Sequence, residues 1–257
     1  MYFKRIMLVV AALALLVGMS STVAQDTEKK GNIAQVVMIT PKEGQGKALE
    51  AAITEYHKFM GTKPGSLRWQ WYSVETGEDT GKYLVRTGDH EWADFDAKHD
   101  WDEESAAKFA SLVMPKIENA QRMFTRTDDE LGIWPESMEG YTLFSVTHWY
   151  PKPGQRGAFF DDLTKIDKTL KANGFPMPYA VIHNVSGGEG NMVALVVPYK
   201  NYADMEPKKP SFMDVMTKVM GEDEAKAFRD HWGSTFKTGK NFLLRYLPEA
   251  SDYGDGK

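Results

Sequence analysis

The chain has 257 residues, a formal net charge of −5 at pH 7 and no cysteine. Its acidic balance, with no run of basic residues, argues against nucleic acid or an anionic membrane surface as a partner. The lack of cysteine excludes thiolate metal sites, thiol nucleophiles and covalent c-type haem attachment, so the fold must depend on its apolar core. A chain of this length can bury a core of sufficient size.

The first residues have the pattern of a secretory signal. Lys4 and Arg5 precede an uninterrupted apolar run of 12 residues at 6–17, and small residues follow. A run of that length is too short to span a bilayer unaided, which argues against the alternative of an uncleaved anchor. We therefore expect 1–24 to be removed, leaving a periplasmic or secreted protein that begins near Gln25 and is not held in a membrane.

The next stretch, 25–131, predicts a first folded half with the order β-α-β-β-α-β. Its strands are short, apolar and rich in β-branched or aromatic residues, and its helices have apolar residues at three- and four-residue spacing. In chain order the predicted elements are a strand at 33–39, a helix at 49–60, strands at 66–74 and 83–87, a short helix at 91–98, a longer helix at 103–122 bent at Pro115, and a strand at 124–127.

A linker at 132–140 separates this half from a second one at 141–247, which repeats the order of elements. The last ten residues, 248–257, predict a disordered tail. In chain order the second half has a strand at 141–150, a helix at 159–170, hairpin strands at 179–185 and 192–197, a helix capped by Ser211, a helix at 222–237 and a strand at 242–247.

A short motif occurs twice, where the first strand of each half gives way to a helix. Pro41-Lys42-Glu43-Gly44-Gln45 returns as Pro151-Lys152-Pro153-Gly154-Gln155, 110 residues later. Further similarities follow the same offset, until nine extra residues in the second half shift it to 119. One insertion between two gapless blocks predicts an internal duplication. The alternative is that two similar helix-start turns arose by chance.

Two β-α-β-β-α-β units, each opening with this motif, resemble the dimeric α+β barrel superfamily. Its antibiotic-biosynthesis-monooxygenase-like (ABM-like) and NIPSNAP-like members are the most similar. In that superfamily two such units face each other sheet to sheet and enclose a cavity. The resemblance therefore implies an α+β fold of tandem ferredoxin-like repeats that form a dimeric α+β barrel within one chain. It implies no particular reaction, since the Asn, Trp and His or Arg set of related oxygenases and haem-degrading members has no residue-by-residue counterpart here.

Two histidines lie near the ends of predicted strands in the second half. His148 and His183 occupy places where the first half has Met38 and Ser73. Together they could serve as metal ligands or as an acid–base pair at the barrel mouth, or each could pack and hydrogen-bond as a structural residue. Two histidines without a third ligand do not make a catalytic zinc site, so we expect no bound metal.

The predicted strands of the first half carry arginines and tryptophans that could line a cavity. Arg68 and Arg86 could bind a carboxylate, because the guanidinium group matches it, or they could form salt bridges at strand ends. Trp69, Trp71 and, in the second half, Tyr179 suit either a flat apolar ligand or core packing under helices. Strand alternation places Trp69 and Trp71 on one face but leaves open whether even- or odd-numbered residues face the interior.

A second pair of arginines, Arg126 and Arg245, falls at matching positions near the ends of the two halves. Repetition at one place favours a structural ion pair with one of the many carboxylates over a unique ligand site.

These candidates predict an asymmetric cavity, in which the first half supplies an aromatic wall and a cationic group and the second half supplies the histidines. The leading hypothesis is a non-catalytic or weakly catalytic binder of a small aromatic or amphipathic molecule, without a cofactor. The alternatives are a cofactor-independent monooxygenase acting on a similar molecule, and a structural or interaction module without a ligand. A cavity lined by aromatic residues would favour binding, and a barrel filled by side chains would favour the structural role. The sequence leaves open whether the chain forms a homo-oligomer.

Overall fold

The computed structural model describes residues 31–251. The strands in this range are β1 (Ile33–Pro41), β2 (Gln70–Val74), β3 (Tyr83–His90), β4 (Ile117–Ile133), β5 (Leu143–Pro151), β6 (Tyr179–Ser186), β7 (Val193–Tyr199) and β8 (Phe236–Tyr246). The α-helices are α1 (Gly46–Met60), α2 (Asp102–Leu112), α3 (Arg156–Ala172), α4 (Phe212–Met220) and α5 (Glu222–Ser234). Short 3-10 helices occur at Trp92–Asp96, Met114–Lys116, Tyr202–Met205 and Pro248–Ala250.

The strands close into one barrel in the order β1-β3-β2-β8-β5-β7-β6-β4. Every neighbouring pair is antiparallel, so β1, β2, β5 and β6 run one way and the other four run the opposite way. One end of the barrel therefore collects the ends of β1 and β5, the start of β8, and the loops β2–β3 and β6–β7. We call this end the upper mouth, and the opposite end, where β3 and β4 finish, the lower mouth.

The buried apolar residues form three clusters, one inside the barrel and two on its outer face. The interior cluster draws on strands of both halves and includes Tyr72, Phe144, Val146, Phe242 and Leu244. Two outer clusters lie between the barrel and the helices, one under α1 and α2 and the other under α3, α4 and α5. Because side chains alternate along a strand, the even-numbered residues of β2 and β5 face the interior, as do those of β8 from Phe242 onward. Phe236, which precedes a register shift in the pairing of β8 with β5, lies in an outer cluster instead.

The helices cover the outer face of the barrel with apolar stripes. In α1 the buried residues Leu49, Ala52, Ile53 and Met60 recur at helical spacing. Each buried side chain of leucine size contributes about 1.5–3 kcal/mol relative to the exposed side chain. The amphipathic pattern of the sequence therefore directs the helices to the outside and leaves the interior to strand residues.

The same order of strands and helices occurs in 33–133 and 143–246, with one added helix, α4, in the second half. Two seams join the halves, where β2 pairs with β8 and β4 pairs with β6. Because β6 and β7 stand between β4 and β5 in the barrel, the linker passes along the lower mouth. Met138 of the linker and Tyr141, just after it, pack against the interior cluster. The chain therefore covers the lower mouth.

The repeated motif has the same backbone conformation in both halves. Gly44 and Gly154 have φ of 72° and 77°, a region that favours glycine. Lys42 and Lys152 each donate a hydrogen bond from Nζ to a backbone carbonyl oxygen, at 2.7 Å in both cases. The motif thus turns the chain from strand to helix and ties the turn to the segment that precedes the last strand of its half.

The long helix predicted at 103–122 is shorter in the structure. α2 ends before Pro115, and β4 begins at Ile117. The strand predicted at 124–127 therefore extends from Ile117 to Ile133. Its length follows from pairing on both sides, with β1 along its first part and with β6 along its second.

Several other boundaries also differ from the sequence prediction, among them those of β2, β8 and β4. β2 is confined to Gln70–Val74 instead of 66–74, and its pairing with β3 and β8 begins no earlier. β8 starts at Phe236, inside the helix predicted at 222–237, because it pairs with β5 from that point. β4 also takes up 132–133 of the predicted linker.

Residues 248–251 of the predicted disordered tail are ordered. The 3-10 helix Pro248–Ala250 packs against α1. Ser251 Oγ then accepts a hydrogen bond of 2.9 Å from the backbone N–H of Trp71. The segment is ordered because it covers apolar surface and supplies a partner to β2.

The predicted signal at 1–24 and the tail residues 252–257 lie outside the described residues. Within 31–251, no helix has both the length and the apolar character needed to cross a membrane.

Candidate functional site

An open cleft of about 380 Å³ lies at the upper mouth. It is bounded by the end of β5, the start of β8 and the loops β2–β3 and β6–β7. Its lining residues are Glu78, Asp79, Tyr150, Glu189, Gly239, Lys240, Asn241 and Phe242. Aromatic rings, carboxylates and an ammonium group thus meet in one concave site, which we call the mouth cleft.

Two aromatic side chains form the base of the mouth cleft. Tyr150 is the penultimate residue of β5, and Phe242 lies on the neighbouring β8 with its ring in the interior cluster. A Cβ atom at Gly239 would lie 2.0 Å from the Tyr150 ring, so glycine is needed for the ring to lie there. The lack of a side chain at Gly239, on the adjacent strand, therefore determines where the Tyr150 ring lies.

His148 lies one inward-facing position before Tyr150 and is half-buried. Its ring makes edge-to-face contacts with Tyr150 and Phe242, with centroid distances of 6.4 and 5.4 Å. Burial lowers the pKa of His148 to about 4, and the nearby Lys240 ammonium acts in the same direction. The imidazole is therefore neutral at physiological pH. Within residues 31–251 its ring nitrogens have no hydrogen-bond partner, so it can both donate and accept a bond.

One wall of the mouth cleft is an ion-pair network between β8 and the β2–β3 loop. Lys240 Nζ lies 2.9 Å from Asp79 and 2.6 Å from Glu78, and Lys82 Nζ lies 2.6 Å from the other oxygen of Asp79. Burial raises the pKa of Asp79, but hydrogen bonds from Lys82 and Lys240 outweigh it and bring the pKa below its usual value. Hydrogen bonds to Glu78 and Asp79 raise the pKa of Lys240. Asp79 and Lys240 are therefore both charged at physiological pH.

The opposite wall is the β6–β7 loop, which carries Glu189. Asn184 Nδ2 donates to the carbonyl oxygens of Gly187 and Glu189, at 2.7 and 3.2 Å. Asn191 Nδ2 donates to the carbonyl oxygen of Pro151 at 2.8 Å, which ties the loop to the end of β5. The Glu189 side chain is exposed and, in the part of the chain that the structure describes, forms no ion pair.

Among the residues predicted from sequence to bind a ligand, His148 comes nearest to the mouth cleft, because it contacts the lining residues Tyr150 and Phe242 without lining the cleft itself. Trp69 and Trp71 pack in the outer cluster under α1, and Tyr179 packs in the outer cluster under α3. The Tyr179 hydroxyl donates to Asp167 at 2.8 Å, and burial together with this carboxylate raises the pKa of Tyr179. These rings therefore pack between sheet and helix, which was the second of the two roles open from the sequence.

His183 faces α3 rather than the barrel interior. Its ring stacks on Phe160 at 5.1 Å, and Nε2 lies 2.7 Å from Asp128 Oδ2. In both β5 and β6 the even-numbered side chains face the interior. His148 is even-numbered and His183 is odd-numbered, so the two lie on opposite faces of the barrel wall. The hypothesis that they act as a pair at one mouth is therefore wrong.

The two predicted arginines lie toward the lower mouth. Arg86 points into the barrel with its guanidinium group over Gly88, and its Nη1 donates to Gln70 Oε1 at 3.0 Å. Arg68 is exposed in the loop that precedes β2. Because β3 runs antiparallel to β5, the C-terminal ends of these strands are at opposite mouths. Arg86 and His148 therefore do not share one site.

Sequence reasoning missed most residues of the mouth cleft. The sequence predicts 75–81 and 186–191 only as turns, although each carries a carboxylate that lines the cleft. Lys240 falls between a predicted helix and a predicted strand, where nothing marks it. Tyr150 could have been predicted, because it lies two residues after His148 and strand alternation places both side chains on the same face.

No protein-family model matches the chain, and no curated protein matches it either. Solved structures with a similar fold do match. A putative monooxygenase from Lactobacillus acidophilus NCFM aligns with a TM-score of 0.51 at 12% identity, over 84% of this chain and 94% of its own. An anthrone oxidase-like protein aligns with a TM-score of 0.53 at 14% identity, over 88% of this chain and 95% of its own.

Chlorite dismutase from Candidatus Nitrospira defluvii, solved in complex with imidazole, gives a TM-score of 0.50 at 10% identity. The alignment covers 86% of this chain and 93% of that protein. At such low identity the similarity concerns the fold alone. The chain therefore has the mixed α+β fold, with an eight-stranded antiparallel sheet, that these monooxygenase-like and chlorite dismutase-like proteins share.

Proposed function

We propose that the mouth cleft binds a small molecule that has an aromatic ring and a hydroxyl or amine group. The observation that carries this proposal is His148, a neutral imidazole beside an open cleft with no hydrogen-bond partner in the described chain. A hydrogen bond from a ligand to such a group contributes about 0.5–1.5 kcal/mol. The cleft volume lies within the range of about 300–1,000 Å³ that is typical of small-molecule sites.

The base of the mouth cleft supports an aromatic ligand. Tyr150 and Phe242 present rings beside His148, and an aromatic pair contributes about 0.5–1.5 kcal/mol beyond the burial of its surface. Below His148 the interior cluster occupies the barrel with Tyr72, Phe144 and their neighbours. The ligand is therefore confined to the mouth.

A cofactor-independent monooxygenase is the second candidate, supported by the fold shared with the monooxygenase-like structures. A reaction that starts from the deprotonated ring needs a general base, which works best with a pKa near the operating pH. His148, with a pKa of about 4, lies roughly six units below a phenol of pKa about 10. That gap corresponds to a proton transfer that is uphill by about 8 kcal/mol. We therefore favour binding over base catalysis.

A structural module without a ligand is the third candidate, and the side chains that fill the barrel below His148 support it. A purely structural barrel has no need of a neutral imidazole without a hydrogen bond at an open mouth. Buried polar groups are normally paired with protein or with ordered water. A ligand with a polar group would take the place of water at the ring nitrogens of His148.

We further propose that the two halves arose by duplication of one unit and that the protein is exported. The repeated motif supports the duplication, because its glycine conformation and its lysine hydrogen bond occur in both halves. The apolar run at 6–17 supports export. N-terminal sequencing of native protein should give a start near Gln25, and an intact Met1 in a membrane pellet would contradict this.

Calorimetric titration tests the binding function. Naphthylmethanol should bind the full chain more tightly than naphthalene, because only the alcohol can bond His148. His148→Phe keeps a ring but removes both nitrogens, so the alcohol should lose about tenfold in affinity. His231→Phe, at an exposed histidine on α5, is the matched control and should leave affinity unchanged. Equal affinity of the parent and His148→Phe proteins would refute the proposed site.

A further inference from the structure

We propose that the ligand of the mouth cleft is a cation, with a protonated amine next to its aromatic ring. This inference rests on the proposed function and adds the ligand's charge. It is carried by the arrangement of charges on the two walls and by the aromatic base between them.

The charged groups at the mouth cleft leave an excess of negative charge. Three carboxylates line it, those of Glu78, Asp79 and Glu189. Two lysines compensate them, Lys240 between Glu78 and Asp79, and Lys82 on the second oxygen of Asp79. Because His148 is neutral, it adds no positive charge. One carboxylate therefore remains uncompensated.

The uncompensated carboxylate belongs to Glu189, on the wall opposite the lysines. Both lysines are engaged by the β2–β3 loop, so neither is available to an anionic ligand without breaking an ion pair. Asn184 fixes the backbone of Glu189, which keeps this carboxylate at the rim. A cation that enters the cleft can therefore pair with the Glu189 carboxylate. An anion finds no free ammonium group, because both lysines are already in ion pairs.

The base of the mouth cleft also suits a cation. The Tyr150 ring lies between the two acidic walls, and burial followed by the nearby Glu189 raises the pKa of its hydroxyl. A ligand cation within about 6 Å of an aromatic ring is attracted by the ring electrons. Carboxylates at the rim and rings at the base are the combination that binds organic ammonium groups.

The test compares three probes that share one ring system, titrated calorimetrically into the full chain at neutral pH. Naphthylmethylamine is a cation, naphthylmethanol is neutral and naphthoate is an anion. We expect the amine to bind about tenfold more tightly than the alcohol and the anion to bind most weakly. Raising the salt concentration should weaken the amine and leave the alcohol unchanged, because only the amine depends on charge.

Glu189→Gln should remove most of the amine's advantage over the alcohol, because the variant takes away the charge that only the amine uses. Glu206→Gln is the matched control, since Glu206 is also an exposed loop carboxylate but follows β7 at the other end of the barrel. If both variants weaken the amine equally, the effect comes from overall charge and the inference is wrong. If amine and alcohol bind equally and His148→Phe weakens both, the binding function stands and the cation preference is wrong. If none of the probes binds, both proposals fail.

Discussion

The protonation of His148 links the mouth cleft to stability. Its pKa is about 4 in the folded chain, against about 6.5 in an unfolded one. As the pH falls, the unfolded chain takes up the proton first, so stability is complete above about pH 6.5 and is lost as the pH falls towards 4. Between about pH 7 and pH 5 this loss amounts to about 2 kcal/mol.

Denaturant unfolding at these two pH values should therefore show a smaller acid loss in His148→Phe than in the parent protein. The difference isolates one group, since other titrating residues are common to both proteins. A parallel decline of the two proteins with pH would mean that folding does not lower the pKa of His148, and it would contradict the burial of an unprotonated imidazole beside the mouth cleft.

Alanine substitutions at Gly239 and at Gly233 should have opposite effects on stability. A Cβ at Gly239 would lie 2.0 Å from the Tyr150 ring, so Gly239→Ala should cost about 1–3 kcal/mol and weaken ligand binding by displacing the ring. Gly233 lies in α5 with nothing within 4 Å of an added Cβ, so Gly233→Ala should stabilise by about 0.5–1 kcal/mol. Denaturant midpoints measure both. A neutral Gly239→Ala would show that the Tyr150 position is not constrained.

At the scale of elements, the two seams that join the halves are stabilised differently. At the β2–β8 seam, Arg245 lies 3.3 Å from Glu75 and donates to the Tyr202 hydroxyl at 2.9 Å. At the β4–β6 seam, the matching Arg126 is exposed and has no ion pair within residues 31–251, because Val185 stands where the other seam has Glu75. The matching arginines of the two halves therefore differ, and the prediction of a repeated ion pair holds for one seam.

Substitution of these arginines should separate the two cases. Arg245→Ala should lower the free energy of unfolding by about 1 kcal/mol, since the pair is partly exposed and screened. Arg126→Ala should change it by less than about 0.5 kcal/mol. Thermal unfolding of the two variants checks this, and an equal loss in both would mean that Arg126 has a structural role that its surroundings do not show.

The ordered segment after β8 stabilises the first half. Ser251 Oγ accepts from the Trp71 backbone N–H and donates to the Leu247 carbonyl oxygen. Ser251→Ala should cost about 1–2 kcal/mol, because it leaves a part-buried N–H without a partner. Ser186→Ala, at an exposed serine, serves as the control in the same denaturant measurement. No loss in Ser251→Ala would show that water replaces the hydroxyl.

Local sequence patterns predicted the existence of most elements but not their full extent. The strand alternation of β5 and the capping residue Ser211 before α4 are encoded within a few residues, and both are found in the structure. β4 is different, because 117–122 has no strand-like alternation and forms a strand only through pairing with β1. Strand length of this kind is decided by partners distant in sequence, which local propensity does not contain.

At the scale of the whole molecule, each half alone would expose the inner face of its sheet. Residues 25–131 produced separately should fail to unfold cooperatively as a monomer, because Tyr72 and Val74 would lose the strands that cover them. Analytical ultracentrifugation and denaturant unfolding measure this. Self-association into a closed dimer would agree with the barrel. A stable monomer that unfolds cooperatively would contradict the dependence of the halves on each other.

The candidate site was harder to predict than the fold, because it forms only when the barrel closes. Asp79 and Lys240 are 161 residues apart in sequence and meet only across the β2–β8 seam. Glu189 reaches the same cleft from a third segment of chain. His148 could be singled out by its place at a strand end, but its partners depend on the register of strands from both halves.

Closure of the barrel by one chain has a consequence for how a ligand is oriented. In a barrel built from two identical chains, each side chain at the mouth would appear twice, related by a twofold axis, and a ligand would have two equivalent poses. Here His148 on β5 stands opposite Met38 in the equivalent place on β1. The mouth is thus polar on one side and apolar on the other. Restriction to a single pose costs a ligand only about 0.4 kcal/mol of entropy, and in return its polar group always faces the same imidazole.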